Sequence, residues 1–250
     1  MELCDTHCHL FLEPLGSRVE AALERARDAG VTRVVVPAYD SASWDRVAEL
    51  GARSGVAAAY GLHPWVADQP LDLERLEALL RGAVAVGEIG LDFAVDHPDR
   101  RSQIDVLQRQ LDLARRLDLP VILHCRRAFD ALFALLREHG PLRGVLHAFS
   151  RGAELAGRAV RELDLHVAFG GAVTRPGALR ARQSAAAVPP RRLLLETDAP
   201  SIGMEGLAAE ETEPRHVARV AEVVAALRAE PVEAVAEETT QNARSLFGLP

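Results

Sequence analysis

The sequence contains no lysine at all: each of its 29 basic residues is an arginine. That excludes Schiff-base chemistry, and it excludes a carbamylated lysine as the bridge between two metal ions. Cysteine is scarce, with three in 250 residues. So low and odd a number points to reduced thiols in a cytoplasmic protein rather than a disulfide framework. No apolar run approaches about 18 residues, which excludes a transmembrane helix. The opening Met1-Glu2-Leu3-Cys4-Asp5 lacks the basic and apolar stretches of a signal peptide, so a soluble protein without membrane contact is expected. The formal net charge of −7 argues against wrapping long duplex nucleic acid, whose affinity comes from neutralised phosphates. It leaves open a grip on one chain end.

What is present is alternation. Short β-rich runs near residues 2–5, 33–37, 56–60, 84–88, 121–123, 144–146, 165–169 and 193–196 are separated by amphipathic segments. The helical patterns cover 19–29, 44–54, 73–81, 101–118, 128–139, 155–163, 179–187 and 214–228, with a last one at about 231–246. Within the fourth, Leu107, Leu111, Ala114 and Leu117 recur at helical spacing and form one apolar face. Eight strand–helix pairs in one domain spanning 1–250 predict an α/β fold, a (β/α)8 TIM-type barrel with an extra C-terminal helix. No glycine-rich phosphate fingerprint follows the first strand, which disfavours a Rossmann sheet.

Five of the strand-end stretches carry metal-type ligands: Asp5-Thr6-His7-Cys8-His9, Gly87-Glu88, Leu123-His124, His147 and Glu196-Thr197-Asp198. A barrel brings all such ends to one rim, where the active sites of this fold lie. Strand alternation predicts that Asp5, His7 and His9 share a face, with Cys4, Thr6 and Cys8 on the other. His7 and His9 are then expected to hold one ion with Asp198, and His124 and His147 a second. With lysine missing, Glu88 is the best bridging carboxylate. Asp198 is a general base or a ligand alone, and both roles stay open. Two divalent ions are expected, and imidazole-rich ligation suits Zn²⁺ or Mn²⁺ better than Mg²⁺. Asp5, Asp92 and Glu196 are expected to support the ligands from behind. His63, Arg126 and Arg151 are candidates to contact substrate phosphate, against a structural histidine, an ion pair and a solvent-facing arginine respectively. His97, His139, His166 and His216 lie outside the ligand pattern, and Cys125 faces away from His124.

As a set, the motifs resemble those of the TatD family of metal-dependent deoxyribonucleases. Asp5 to Leu10 resembles its opening DxHxHL, Gly61-Leu62-His63-Pro64 its GxHP, and Gly87 to Asp92 its GEIGLD. Leu119 to Arg126 is similar to LPVILHxR, Glu196 to Pro200 to ETDAP, and Gln241 to Phe247 to the closing NAxxLF. The resemblance implies a barrel of the amidohydrolase superfamily, two divalent ions, and phosphodiester hydrolysis at DNA ends, often 3′→5′ on single strands. It assigns the metal to His7, His9, Glu88, His124, His147 and Asp198, and it implies no obligate protein partner. Two departures bear on substrate. Arg151 replaces the glycine of the family's HxFSG, and Glu211-Thr212-Glu213-Pro214 keeps the Glu-Pro pair but lacks the usual Arg and Asn. Because that acidic loop is expected to shape the mouth, an ester or amide hydrolase such as an aminoacyl-tRNA deacylase is the alternative. A metal-holding protein without catalysis is the third.

Overall fold

A computed structural model describes residues 1–250. Eight parallel strands follow one another around a sheet in the order β1 to β8: β1 (Leu3–Asp5), β2 (Val31–Pro37), β3 (Val56–Tyr60), β4 (Ala85–Asp92), β5 (Val121–Arg126), β6 (Gly144–Leu146), β7 (His166–Phe169) and β8 (Leu193–Leu195). The helices between and after them are α1 (Val19–Asp28), α2 (Trp44–Gly51), α3 (Leu73–Leu80), α4 (Arg100–Leu117), α5 (Phe129–His139), α6 (Ala153–Leu163), α7 (Leu179–Ala187), α8 (Val217–Arg228) and α9 (Val232–Phe247). The seam between β8 and β1 closes through loop backbone beyond the strands. Thr6 N donates to Leu195 O (3.1 Å), Asp198 N to His7 O (2.8 Å) and His9 N to Ala199 O (2.8 Å). This is the expected TIM-type barrel with its extra C-terminal helix.

Alternation along the strands sorts the apolar residues into two layers. Cys4, Val35, Ala59, Ala85, Ile122, Val145, Ala168 and Leu194, one from each strand, pack together inside the barrel. Their outward neighbours pack beneath the helices. Inside, the same layer includes Ala243, Leu246 and Phe247, so α9 plugs the barrel where the strands begin. Asn242 fixes that plug by donating to Pro190 O and Leu193 O at 2.8 and 2.9 Å. The helices have local causes. Asp99 caps α4 by accepting from Ser102 N, Asp118 ends it in the left-handed region, and Leu107, Leu111 and Ala114 bury the predicted face. No helix is long and apolar enough to cross a membrane.

Two strands depart from the sequence expectation in ways that build the site. β4 runs on to Asp92 rather than ending at Glu88, and its register against β5 shifts between Val86 and Ile89. That extra residue changes the phase of the strand. Val86 and Ile89 both face the helices, so Glu88 and, by alternation from Ile89, Gly90 and Asp92 turn into the barrel. The Gly87–Glu88 peptide is cis. Glycine is required on both sides of Glu88. A Cβ at Gly87 would lie 2.6 Å from the Ile122 Cβ, and one at Gly90 (φ +148°) would strike the His124 carbonyl oxygen.

The second departure corrects the expected alternation past β1. The strand stops at Asp5, whose carboxylate accepts from Thr197 N (2.9 Å), Thr197 Oγ1 (2.6 Å) and His7 N (3.3 Å). The turn changes the phase, so Asp5 does not share a face with His7 and His9. Nor do the two cysteines share one: Cys4 lies in the inner layer and Cys8 in the outer.

Candidate metal centre

Glu88 sits at the middle of five imidazoles. Its Oε2 lies 3.3 Å from His7 Nε2 and 3.5 Å from His9 Nε2. Its Oε1 lies 2.8 Å from His147 Nε2, 3.0 Å from His124 Nδ1 and 3.2 Å from His63 Nε2. Each oxygen thus serves one group of histidines. Asp198 joins the first group, with Oδ1 3.5 Å from His9 Nε2 and 3.9 Å from His7 Nε2. Five of the six chain segments that meet here are the strand ends expected to carry ligands, and the sixth supplies His63, expected as a phosphate contact.

Side-chain chemistry prepares these groups to hold cations. Burial drives the His7 imidazole well below its ordinary value, keeping it neutral and its lone pair free. Burial would likewise raise Glu88, but the surrounding His147, His63 and His7 outweigh it and hold the carboxylate well below the usual range. Asp198 is raised by burial, and its Oδ1 has no hydrogen-bond partner in the protein. An orphaned buried carboxylate oxygen beside the neutral His7 imidazole is what a cation would satisfy. His7, His9 and Asp198 form one set of ligand atoms able to hold a metal, and His63, Glu88 and His124 another.

Hydrogen bonds on the far sides of the rings decide which nitrogen each presents. His9 Nδ1 donates to Pro37 O at 3.2 Å, which leaves Nε2 for a ligand. His124 is turned the other way: Nε2 donates to Asp92 Oδ2 at 3.1 Å, and Nδ1 faces Glu88. Burial would lower the His124 imidazole, but the bonds to Asp92 and Glu88 override it and raise it to about 9. His63 Nδ1 accepts from Trp65 N at 3.1 Å, so its hydrogen sits on Nε2 and it acts as a donor at the centre.

The centre opens into a cavity of about 570 Å³. Arg126 and Arg151 line it, together with Tyr39, Trp65, Phe129 and Ile202. Arg126 spends one nitrogen on Asp92 Oδ2 (3.2 Å), and its half-exposed side chain leaves the rest of the guanidinium to the cavity. The acidic loop does not shape this mouth as expected. No residue from 203 to 216 lines the cavity; Ser201 and Ile202 do. Glu213 is held instead by Arg25 of α1 (2.8 and 2.5 Å) and Arg215 (2.6 Å), which fasten the loop to the outside of the barrel.

A sequence model of TatD related DNases matches residues 4–248. The chain belongs to the TatD family. Over 254 residues it is 41% identical to the uncharacterized metal-dependent hydrolase YjjV of Escherichia coli strain K12, an alignment covering 98% of each chain. Human deoxyribonuclease TATDN3 is 32% identical over 263 residues, 98% of this chain and 94% of that protein. The crystal structure of the Escherichia coli YjjV protein matches with a TM-score of 0.93 at 39% identity, covering 99% of this chain and 98% of that one. As a TatD-family member, the chain is a metal-dependent hydrolase, and its clustered histidines and carboxylates are able to bind metal ions.

Several residues of this TatD-family site were not legible beforehand. Trp65 stands 42% exposed at the rim, its indole Nε1 donating to Asp92 Oδ2 at 2.6 Å. Tyr39 stacks on His63 with ring centroids 5.0 Å apart. Only the Pro64-Trp65 step after His63 hinted at the first, and nothing at the second. Thr197, just beyond β8, ties that segment to Asp5 through its N–H and hydroxyl, a role its place in the Glu196-Thr197-Asp198 motif does not signal. Glu196 lies inside the barrel, accepting from Ala148 N at 2.5 Å with His147 Nδ1 3.8 Å away. His97, His139, His166 and His216 stay outside the centre: His97 pairs with Asp68 (2.9 Å) and His139 Nδ1 with Leu135 O (2.9 Å).

Proposed function

We propose that the chain is a two-metal phosphodiesterase that trims single-stranded DNA ends, with 3′→5′ polarity. The observation that carries this reading is the pairing of the Glu88 cluster with two arginines, Arg126 and Arg151, in the wall of one cavity. A phosphodiester is anionic at the group that is cleaved and matches that pair; the ester bond of an aminoacyl-tRNA carries no charge of its own. The loop whose acidity favoured the acyl substrate lies away from the cavity.

On this reading His7, His9, Asp198 and Glu88 would hold one divalent ion, and His124, His147 and Glu88 the other. Zn²⁺ or Mn²⁺ fits the imidazole-rich set, with Mg²⁺ as the weaker candidate. Such ions supply electrophilic activation of the phosphodiester and ease deprotonation of water near neutral pH. Asp198, besides serving as a ligand, would receive that proton. Arg126 and Arg151 pair with the phosphate and set its approach. His63 donates through Nε2 to a phosphate oxygen.

Purified protein supplied with Mn²⁺, Mg²⁺ or Zn²⁺ and incubated with 3′- or 5′-labelled single-stranded oligonucleotides tests the proposal. Progressive shortening from the 3′ end is expected, abolished by Asp198→Ala. Loss of cleavage with metal content retained in Asp198→Asn assigns the proton role, whereas loss of metal assigns ligation. Acyl-ester turnover with no nucleotide release from DNA refutes the phosphodiesterase reading.

A further inference from the structure

Beside the Glu88 cluster, three buried polar atoms have no hydrogen-bond partner: His7 Nδ1, His147 Nδ1 and Glu196 Oε2. One ligand atom from each of the three residues lies within 4.8 Å of the others. The two rings stack, with centroids 4.0 Å apart and planes inclined by 10°. Their Nε2 atoms reach Glu88 at 3.3 and 2.8 Å. Side by side, then, the rings present Nε2 to Glu88, while His147 Nδ1 lies 3.8 Å from Glu196 Oε1 and a ring nitrogen of His7 comes within 4.8 Å of Glu196. Buried polar atoms of this kind are ordinarily hydrogen-bonded, so the arrangement calls for partners shared among them.

Ligation settles the direction of those bonds. A histidine that offers Nε2 to a cation carries its hydrogen on Nδ1. Both Nδ1 atoms are then donors, and Glu196 is the acceptor they share. We propose that Glu196 is a positioning residue that accepts Nδ1–H from both His7 and His147, directly or through one buried water, and so couples the two metal positions. It orients one ligand of each. Its other oxygen already accepts from Ala148 N (2.5 Å), which holds Ala148 at φ +45° and fixes the backbone that carries His147. Occupancy of one position aligns Glu196 and prepares the ligand of the other, so the two ions load cooperatively. The inference rests on the ligand assignment made above for His7 and His147.

Zinc uptake by the whole protein, followed by competition with a chelator, tests it together with long-range ¹H–¹⁵N spectra of histidine-labelled protein. The wild type is expected to take up two zinc ions cooperatively, with His7 and His147 both protonated on Nδ1. Glu196→Gln, of equal size but with an amide in place of the carboxylate, is expected to bind zinc about 10- to 100-fold more weakly at both positions and without cooperativity. Glu196→Asp, which keeps the carboxylate, recovers part of the affinity. Wild-type affinity and cooperativity in Glu196→Gln overturns the proposal, as does a third zinc ion held by Glu196. If Glu196→Gln does not fold, the spectra of the zinc-loaded wild type decide, because absence of hydrogen from either Nδ1 overturns it alone. Failure of the ligand assignment looks different: the wild type binds no zinc, or His147→Ala keeps both ions.

Discussion

Asp92→Asn is the sharpest test of how this site is held. Asp92 is fully buried, and its Oδ2 accepts from Trp65 Nε1 (2.6 Å), His124 Nε2 (3.1 Å) and Arg126 Nη1 (3.2 Å). Its Oδ1 accepts from Ala94 N at 2.9 Å. Burial would raise this carboxyl, but the bonds from His124, Trp65 and Ala94 prevail and hold it well below the usual carboxylate range. Asparagine keeps the shape and offers one oxygen. If that oxygen faces the three donors, Ala94 N–H loses its acceptor; if it faces Ala94, an amide N–H₂ confronts three N–H groups. Trp65 and Arg126 are partly exposed, so water replaces much of what they lose. His124 is buried and has no such relief. One charge-assisted bond is worth about 1.5–3 kcal/mol, so a loss of about 2–3 kcal/mol is expected in urea unfolding of the metal-free protein. Zinc affinity at the His124 position should fall about 10- to 100-fold, because the ring no longer has a fixed orientation. Chelator competition and oligonucleotide cleavage report that fall. Zinc affinity and cleavage both within twofold of wild type would refute the view that Asp92 orients His124.

Further expectations follow from the rim, the wall and the floor. Trp65→Ala should raise KM for single-stranded oligonucleotides about tenfold, the size of one lost base stack, while leaving KM for an abasic oligonucleotide of the same length unchanged; equal effects on both substrates would rule out stacking. Burial, with the charge of Arg192 beside it, lowers His166 to about 4. The unfolded chain therefore binds more protons between the unfolded value near 6.5 and the folded value, and stability is full above that window and falls as pH drops through it. His166→Asn should flatten this acid loss by up to about 3 kcal/mol in unfolding measured from pH 7 to 4; an unchanged slope contradicts the assignment. Phe247→Ala empties the barrel plug and should cost about 3–5 kcal/mol by the same assay, and a cost under about 1 kcal/mol would mean that α9 is not part of the core.

The fold was readable because a parallel barrel writes itself as a period: short buried strands, amphipathic helices, and the closing Asn242-Ala243 and Leu246-Phe247 that dock α9. The gathering of candidate ligands was readable for a related reason: a parallel barrel brings the imidazoles and carboxylates at its strand ends to one rim. Direction was not readable, because alternation predicts facing only while a strand keeps its phase. β4 gains a residue between Val86 and Ile89, which turns Glu88 and Asp92 inward, and β1 stops at Asp5, which sends Asp5 to Thr197 and separates Cys4 from Cys8. Neither shift has a local sequence rule, since each is fixed by a neighbouring strand. The sequence thus determined which side chains could gather at the rim. Only the tertiary structure decided which oxygen of Glu88 faces which histidines, that His124 presents Nδ1, and that Trp65 and Arg126 share Asp92, because those pairings join residues from different strands and loops of the barrel.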